Sequence, residues 1–355
     1  MAKEVQVNIT ARYQLLETND FFLDQIDEVQ KSEVRAWIQT MALEPSYFSN
    51  LLLATLIQAF SRGVDARFVH DAYSDYVVDN KFTHLAFLLN SDSKKEHEAN
   101  LVRRRAFINQ LNTALPVAKT NVPKSPIRFT PFAAVSGRDH KKISIIDRIA
   151  YLGGVNMTSL DTRRMDVMLK TDNPEVVRGL ADIYSRSFYQ EDIDRDLIIP
   201  CGDSNSLLID SGKRGKSIIM EHVYDLIAEE TDRVLLISPY VPSSKLRNVM
   251  NAAVKKDIHV ELITTGSADA VLSQRISQLV HNVGLKPPSF VINRYPGIVH
   301  AKVLVLGDHT AVIGSHNFDE LFVQLGTEEI SLLTHQPELI AQLISYGKKL
   351  GWSYA

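Results

Sequence analysis

Short apolar runs alternate with longer amphipathic stretches along the 355 residues of this chain. In the first half, the pattern predicts strands over 33–44, 65–70 and 142–147 and helices over 48–62 and 96–114. In the second half, it predicts helices over 217–229, 245–255 and 269–283 and strands over 233–239, 259–264 and 302–306. Strands that alternate with helices are typical of mixed or mainly parallel sheets covered by helices, so we expect an α/β fold.

The order of predicted elements is similar in the two halves, which indicates a tandem repeat. Between the halves, residues 190–214 are rich in Asp, Ser and Gly and show no sustained period. We therefore predict an N-terminal lobe over 1–192, a linker over 193–214 and a C-terminal lobe over 215–355.

Composition narrows the class of protein. The apolar fraction of 45% is ample for a sizeable core. A single cysteine, Cys201, excludes an internal disulfide and a multi-thiolate metal site and agrees with a reducing cytoplasm. No uninterrupted apolar run is long enough to span a bilayer, and the first residues, MAKEVQVNITARYQ, lack the apolar core of a secretory signal. We expect a soluble or peripheral protein.

The formal net charge of −3 argues against a molecule built as a whole to bind polyanions. The stretch from Arg103 to Arg148 is nevertheless cationic, because it carries only Asp139 and Asp147 as acids against ten basic residues. These are Arg103, Arg104, Arg105, Lys119, Lys124, Arg128, Arg138, Lys141, Lys142 and Arg148. The stretch could bind anionic lipid headgroups or a nucleic-acid backbone, or it could be an ordinary solvated face. We favour a binding role.

One string of polar residues occurs twice, and its two histidines lie 160 residues apart. The first copy is His140-Lys141-Lys142, then Asp147 and Gly153-Gly154-Val155-Asn156; the second is His300-Ala301-Lys302, then Asp308 and Gly314-Ser315-His316-Asn317. Residues two apart in a strand point the same way, so each copy presents His and Lys on one face before a tight turn presents Asn. One triplet alone would be weak evidence, but the repeated string predicts a single symmetric site.

The paired strings resemble the motifs of the phospholipase D superfamily, and the resemblance covers nearly the whole chain. The stretches 51–74 and 238–264 look most like those of bacterial cardiolipin synthases and related phosphatidyltransferases. The resemblance implies two similar α-β-α lobes that pack with the active site at their interface. The second copy departs from the usual spacing, since five residues separate Lys302 from Asp308 and Gly307 occupies the expected acidic position.

The resemblance also implies a mechanism without a metal or cofactor. His140 is expected to attack phosphorus and His300 to act as acid and base, although the sequence itself cannot break the pseudo-symmetry. Lys142, Lys302, Asn156 and Asn317 are expected to stabilise the charge on the phosphoryl oxygens. His70, Asp71 and Asp75 could suggest a metal cluster, but they follow a predicted strand and we predict no metal site there.

Each catalytic imidazole is expected to have a carboxylate that fixes its tautomer, at the start of a later strand. Asp166 fits the first half; in the second half Glu328 and Glu329 both fit, and the choice stays open. Asp147 and Asp308 are expected to tie the turns after their strands to main-chain N–H groups. The supporting set is completed by the turn residues Gly153, Gly154, Gly314 and Ser315.

The sequence thus predicts a phosphatidyltransferase that forms a covalent phosphohistidine and makes cardiolipin from phosphatidylglycerol. Its partners would be the phospholipid substrate, an alcohol acceptor such as phosphatidylglycerol or glycerol, and the inner face of the cell membrane. An apolar group, Tyr73, Tyr76, Val77, Val78 and Phe82, would either dip into the bilayer or pack internally. The alternatives are a phospholipase D-type hydrolase or a metal-independent nuclease; a non-catalytic scaffold is disfavoured because all six His, Lys and Asn residues are present.

Overall fold

A computed structural model of the chain describes residues 12–72, 74, 91–121, 137–242, 244–266 and 288–353. The strands form a seven-stranded sheet within residues 13–171 and an eight-stranded sheet within residues 197–334. A two-stranded ladder, with one short strand from each half, joins them. The predicted α/β fold is confirmed. The predicted helix at 269–283, residues Tyr73, Asp75, Tyr76, Val77, Val78 and Phe82, and basic residues Lys124 and Arg128 lie outside the described residues.

The N-terminal sheet has the strand order β1-β8-β6-β5-β2-β3-β4, in which β2, β3 and β4 are parallel and the other pairs antiparallel. Its elements are β1 (Tyr13–Glu17), α1 (Thr18–Lys31), β2 (Arg35–Thr40), α2 (Tyr47–Ser61), β3 (Asp65–Asp71), α3 (Ser91–Ala114), β4 (Val117–Thr120), β5 (Ile143–Ile146), β6 (Ile149–Gly153), β7 (Arg164–Met165), β8 (Val167–Thr171) and α4 (Pro174–Tyr189). Strand β7 belongs to the joining ladder.

The C-terminal sheet has the order β13-β12-β11-β15-β16-β17-β10-β9. Its elements are β9 (Leu197–Pro200), β10 (Asn205–Ser211), α5 (Ile218–Glu229), β11 (Arg233–Ile237), α6 (Ser244–Val254), β12 (His259–Thr265), β13 (Val291–Tyr295), β14 (Ile298–Val299), β15 (Val303–Leu306), β16 (Thr310–Gly314), α7 (Glu320–Leu325), β17 (Glu328–Thr334) and α8 (Pro337–Leu350). Strand β14 pairs with β7 in the joining ladder. Strands β10 to β13 and β15 to β17 repeat the order and directions of the N-terminal sheet.

Local sequence explains where several helices begin. The side chain of Ser46 accepts from the N–H of Ser49, and Ser49 returns a bond to the N–H of Ser46, so a capping box starts α2. Asn173 caps α4, whose first residue is Pro174. These signals fix the helices on either side of the strands that carry the repeated motif.

The predicted linker over 193–214 is wrong for residues 197–211, which form β9 and β10. Both strands extend the C-terminal sheet, since β10 pairs with β17 and β9 pairs with β10. Their apolar runs, Leu197-Ile198-Ile199 and Leu207-Leu208-Ile209, are short and lie among Asp, Ser and Gly residues, which hid them from a search for sustained periods. The boundaries of the two lobes otherwise stay a prediction.

The two sheets share one hydrophobic core. Buried side chains of both sheets and of helices α4 and α8 contact one another in this cluster, among them Ile143, Ile145, Leu152, Leu169, Leu180, Leu235, Val303, Ile313, Leu332 and Leu343. Each lobe also has a separate core under its outer helices. Because each fully buried aliphatic side chain contributes roughly 1.5–3 kcal/mol, the shared cluster holds the lobes firmly together.

Among the described helices, none combines the length and the apolar character that a membrane span requires.

Candidate active site

The lobes exchange main-chain hydrogen bonds beside each copy of the motif. The N–H of His140 donates to the carbonyl of Glu328 at 2.9 Å, and the N–H of Glu328 donates to the carbonyl of Arg138 at 2.7 Å. On the other side, the N–H groups of His300 and Ala301 both donate to the carbonyl of Met165, at 2.9 and 3.0 Å. Each histidine therefore lies where its own lobe contacts a strand of the other.

This exchange makes the histidine–carboxylate pairs cross between lobes. Nδ1 of His140 lies 2.9 Å from Oε2 of Glu329, and Nδ1 of His300 lies 2.5 Å from Oδ2 of Asp166. Our prediction that each acid serves the histidine of its own half is therefore wrong. The main-chain contacts at Met165 and Glu328 place the next residues, Asp166 and Glu329, beside His300 and His140. Spacing within one half of the sequence does not reveal this pairing between halves.

The structure also separates Glu328 from Glu329. Consecutive residues of an extended chain point to opposite faces, so only one of them can face the histidines. Glu328 forms an ion pair with Lys141, whose Nζ also lies 3.1 Å from Oδ1 of Asp139. Glu329 is the acid that faces the candidate active site, and Glu328 stabilises the wall behind it.

The carboxylates determine which ring nitrogen of each histidine can react. An ionised carboxylate only accepts hydrogen bonds, so a proton on Nδ1 lets His140 donate to Glu329 and His300 donate to Asp166. Nζ of Lys302 also lies 2.8 Å from Nδ1 of His300. Nε2 of each ring is then the nitrogen available for attack or proton transfer. This is the arrangement that two-histidine phosphoryl chemistry requires, although the catalytic roles themselves stay a prediction.

Two lysines that are shielded from solvent lie beside the motif histidines. Lys142 and Lys302 are each 1% exposed, and their Nζ atoms bond the main-chain carbonyls of His140 and His300. Burial lowers the pKa of Lys142 to about 7, although Glu329 opposes the shift, and burial lowers the pKa of Lys302 to about 8 against the opposing charge of Asp166. An incoming phosphate would add further negative charge beside both ammonium groups and raise their pKa values.

The two histidines have unlike surroundings. Burial lowers the pKa of both imidazoles; for His300 the fall is larger, and Lys302 and Arg164 add to it. Burial alone would raise the pKa of Glu329, but His140 at 2.9 Å and the nearby His316 lower it to about 2. Burial raises the pKa of Asp166. His140 thus faces an acid that stays ionised.

The two motif asparagines are 3% exposed and lie beside equivalent segments. Oδ1 of Asn156 lies 3.4 Å from the N–H of Ala42, just after β2, and the hydroxyl of Ser238, just after β11, donates to the carbonyl of Asn317 at 2.9 Å. The contact to Asn156 leaves its amide N–H groups available as donors. Their expected role on phosphoryl oxygens stays a prediction.

The turns before the asparagines require close approach of backbone. A Cβ on Gly153 would lie 2.4 Å from the carbonyl oxygen of Val167, and one on Gly314 would lie 2.2 Å from that of Ile330. At the next position the lobes differ. A Cβ on Gly154 would lie 2.4 Å from Oδ1 of Asp166, whereas the hydroxyl of Ser315 donates to Oε2 of Glu329 at 2.5 Å.

Asp147 and Asp308 occupy different places in the two lobes. Asp147, at φ 48°, accepts from the N–H groups of residues 33, 34 and 35 at 2.9–3.0 Å. Gly307, at φ 54°, takes the equivalent backbone position, since its N–H donates to Arg233 as that of Asp147 donates to Arg35. Asp308 is exposed one residue later. The predicted equivalence of the two acids is therefore wrong, and the extra residue after Lys302 explains it.

Sequence reasoning missed two charged residues at the site. Asp161 is fully buried and bonds the hydroxyl of Thr158 and Nη1 of Arg164, the latter at 3.0 Å. Ligand atoms of Asp161, Asp166 and His300 lie within 4.8 Å of one another, a spacing that suits a metal ion. Arg164 and Lys302, whose Nζ lies 3.8 Å from Asp166, already supply positive charge to these carboxylates. Arg163-Arg164 reads in sequence as a surface pair, so no signal distinguished Arg164.

The described residues of the cationic stretch, 103–121 and 137–148, do not form a continuous positive surface. Arg104, Arg138, Lys141 and Lys142 are buried, and Arg138 lies 3.1 Å from Asp71 while Arg104 lies 3.8 Å from Glu44. The exposed basic residues of the described part of this stretch are Arg103, Arg105 and Arg148. Asp71 also accepts from Asn121 and from the N–H of Asp139, so its carboxylate supports the wall beside His140.

Comparison with known proteins finds relatives that share most of the chain. The family described as "Cardiolipin synthase, PLD-like domain" matches residues 223–350. Cardiolipin synthase B of Salmonella typhi is 23% identical over 340 residues, which cover 91% of this chain and 76% of that protein. Minor cardiolipin synthase ClsB of Bacillus subtilis is 25% identical over 242 residues, which cover 64% of this chain and 59% of that protein.

A solved structure shows the same fold. Phosphatidylserine synthase of Haemophilus influenzae superposes with a TM-score of 0.65 at 11% identity, over 95% of this chain and 84% of that one. At this identity the likeness concerns the fold alone. Together with the family match over residues 223–350 and the two motif copies at one interface, the shared fold agrees with a resemblance to the phospholipase D superfamily and to bacterial cardiolipin synthases.

Proposed function

We propose that the protein is a phosphatidyltransferase that makes cardiolipin from phosphatidylglycerol through a phosphohistidine at His140. The observation that carries the proposal is the pair of motif histidines whose Nδ1 atoms contact Glu329 and Asp166, which leaves both Nε2 atoms for chemistry. The relatives named cardiolipin synthase support phospholipid as the substrate class.

In the first step, neutral Nε2 of His140 attacks phosphorus of the donor lipid. A P–N bond forms, the P–O bond to glycerol breaks, and His300 gives its Nε2 proton to the departing oxygen. His300 can carry this proton because the anionic phosphodiester beside the ring raises its pKa, which burial, Lys302 and Arg164 lower in the empty site. The ionised Glu329 stabilises the positive charge that develops on the His140 ring as it attacks. The products of this step are glycerol and a phosphatidyl-His140 enzyme.

In the second step, an alcohol takes the place of glycerol. Nε2 of His300, now neutral, removes the proton of the acceptor hydroxyl, whose oxygen forms a P–O bond as the P–N bond to His140 breaks. With phosphatidylglycerol as acceptor the product is cardiolipin, and with water it is phosphatidic acid. Both histidines return to their starting protonation states.

Charge on the phosphoryl oxygens is the main barrier that the site must lower. Lys142 and Lys302 are fully buried, and each bonds a motif carbonyl that holds its ammonium group in place. Preorganised donors in a water-poor site lower the barrier more than mobile ones, because no reorganisation is needed at the moment of reaction. Asn156 and Asn317 add neutral donors.

We further propose that the protein acts in the cytoplasm, peripherally on the inner face of the cell membrane. The lipid substrate requires contact with a bilayer surface, and exposed Arg103, Arg105 and Arg148 are cations that anionic phosphatidylglycerol would attract.

The test is incubation of the purified protein with phosphatidylglycerol vesicles and a chelator, with lipid products followed by mass spectrometry. Cardiolipin plus glycerol is the expected result, and His140→Ala should form neither. Phosphatidic acid alone would make the protein a hydrolase. No lipid product from the unaltered protein would overturn the proposal and favour cleavage of nucleic acid, to be tested with single-stranded and duplex substrates.

A further inference from the structure

We propose that Arg164 binds the phosphodiester of the acceptor lipid and thereby makes the enzyme prefer a phosphate-bearing alcohol to glycerol or water. The inference rests on the proposed phosphatidyl transfer and adds to it a residue that selects the second substrate. It assigns a role to a cation outside both copies of the motif.

Arg164 lies on the His300 side of the site. It pairs with Ile298 in the ladder of β7 and β14, and the carbonyl of its neighbour Met165 accepts from the N–H of His300. Residues two apart in an extended chain share a face, so Arg164 lies on the same face as Asp166, which bonds His300. The charge of Arg164 helps to lower the pKa of His300 and of Lys302, as expected for a near neighbour.

The guanidinium group is buried but incompletely bonded. The Arg164 side chain is 12% exposed, and Nη1 bonds Asp161 at 3.0 Å. Within the described part of the chain, its Nε has no hydrogen-bond partner. A buried charged donor without a partner costs free energy, and a guanidinium fork suits the oxygens of a phosphodiester.

The other histidine has no such cation at the equivalent place. Asp166 and Glu329 are equivalent acids, so the counterpart of Arg164, two residues before its acid, is Thr327. The hydroxyl of Thr327 donates to the carbonyl of Phe322 at 3.2 Å. The extra charge therefore marks one side of an otherwise pseudo-symmetric site.

That side is where the acceptor must bind. His300 removes the proton of the acceptor hydroxyl in the second step, so this hydroxyl lies at Nε2 of His300. In phosphatidylglycerol the reacting hydroxyl is three carbons from the phosphodiester, which must then be held close by. Glycerol and water bring no such anion, and Arg164 would not help them bind.

A competing explanation is that Arg164 serves only to neutralise the buried carboxylate of Asp161. Under that explanation, loss of Arg164 would weaken folding and slow all reactions in proportion, because an unpaired buried charge would remain. A competition between acceptors separates the two roles, since a ratio of products does not depend on how much folded enzyme is present.

The experiment supplies phosphatidylglycerol vesicles as donor, with deuterated glycerol and glycerophosphoglycerol together as soluble acceptors, and measures the two new phosphatidyl products by mass spectrometry. Arg164→Gln is expected to lower the ratio of phosphate-bearing product to deuterated phosphatidylglycerol about tenfold, the effect of one charge-assisted hydrogen bond. Arg164→Lys should keep part of the preference. The double variant Asp161→Asn with Arg164→Gln, which leaves no unpaired buried charge, should show the same tenfold loss.

The control is Arg163→Gln, which removes the same charge from the exposed neighbouring position and should leave the ratio unchanged. An unchanged ratio in Arg164→Gln and in the double variant, or an equal loss in Arg163→Gln, would overturn the role of Arg164. Absence of both phosphatidyl products from the unaltered protein would instead overturn the proposed transferase function.

Discussion

In the C-terminal lobe, Ser315 donates a hydrogen bond to Glu329, whereas at the same place in the N-terminal lobe Gly154 leaves the space that the carboxylate of Asp166 occupies. The lobes also differ at the turn after the motif strand, where Asp147 in one corresponds to Gly307 in the other. The strand order around these positions is the same. Differences at single residues on a repeated framework therefore give the two histidines unlike tasks.

Each lobe depends on the other for the carboxylate that contacts its motif histidine. His140 takes its carboxylate from the C-terminal lobe, and His300 takes its carboxylate from the N-terminal lobe. Neither lobe alone contains both a motif histidine and the carboxylate that it contacts. The site exists only in the packed protein, which makes the shared hydrophobic core a requirement for catalysis as well as for stability.

The largest expected effect comes from removing either histidine. His140→Ala and His300→Ala should each lower the turnover of phosphatidylglycerol about 10³-fold or more, because attack and proton transfer are both required. Thermal unfolding should change little. His309→Ala, which removes an exposed histidine outside the motif triad, is the control; substantial activity in either motif variant would exclude a shared site.

Breaking the crossed pairs should have the next largest effect. Asp166→Asn and Glu329→Gln should lower kcat about 10²- to 10⁴-fold, since each loses the acceptor that fixes a histidine tautomer. The carboxylate of Glu328 pairs with Lys141 rather than with a motif imidazole, so Glu328→Gln should lower kcat less than Glu329→Gln. Steady-state kinetics on vesicles measure this order, and the reverse order would show that the crossing is incorrect.

Exchanging the turn residues tests why the lobes differ. Gly154→Ser should be harmful, because its Cβ would lie 2.4 Å from Oδ1 of Asp166. Ser315→Gly opens space and removes one hydrogen bond to Glu329, so kcat should fall only about tenfold. Kinetics and melting temperature of the two variants would be compared; a larger loss in Ser315→Gly would contradict the account of these turns.

The dependence on pH should reveal the buried lysines. A lysine is charged below its pKa and neutral above it, and the pKa values are about 7 for Lys142 and about 8 for Lys302. The value of kcat/KM, which reports the free enzyme, should therefore fall as pH rises above about 7. Vesicle binding measured over the same range controls for loss of the lipid surface, and a flat profile from pH 7 to 9 would argue against this role.

The smallest effect concerns the turns behind the motif strands. Asp147→Ala removes the acceptor of three main-chain N–H groups and should lower the free energy of unfolding by about 1–3 kcal/mol. Asp308→Ala alters an exposed side chain and should change it by less than about 0.5 kcal/mol. Denaturant titrations of both variants measure the two changes. Equal losses of unfolding free energy would contradict the different roles of Asp147 and Asp308.

Much of the framework could be predicted from the sequence, because long periodic segments carry their own signal. The strand at Asp65–Asp71 and the helix at Tyr47–Ser61 lie within one residue of their predicted bounds. Strands β9 and β10 could not be predicted, since four to seven residues among turn formers show no sustained period. Pairing of β10 with β17, and of β9 with β10, decides their structure.

The sequence identified the motif residues that lie at the lobe interface, but it did not predict which carboxylate contacts which histidine. The repeated spacing identified His140 and His300, yet spacing within a half says nothing about which acid the packed lobes bring to each ring. Arg164 could not be distinguished from its exposed neighbour Arg163, since burial is set by the ladder with Ile298. The apparent cationic stretch was likewise misleading, because its counter-charges, such as Asp71 and Glu328, come from distant segments.

The most direct test of the shared site is to trap the phosphatidyl-enzyme. His300→Ala and His140→Ala would each be mixed with vesicles that contain phosphatidyl-p-nitrophenol, whose leaving group departs without a proton from His300. The samples would be quenched in alkali to preserve phosphohistidine, digested and mapped by mass spectrometry. The account predicts a phosphatidyl adduct on the peptide that contains His140 in His300→Ala and none in His140→Ala. An adduct on the His300 peptide in His140→Ala, with none in His300→Ala, would contradict the assigned roles.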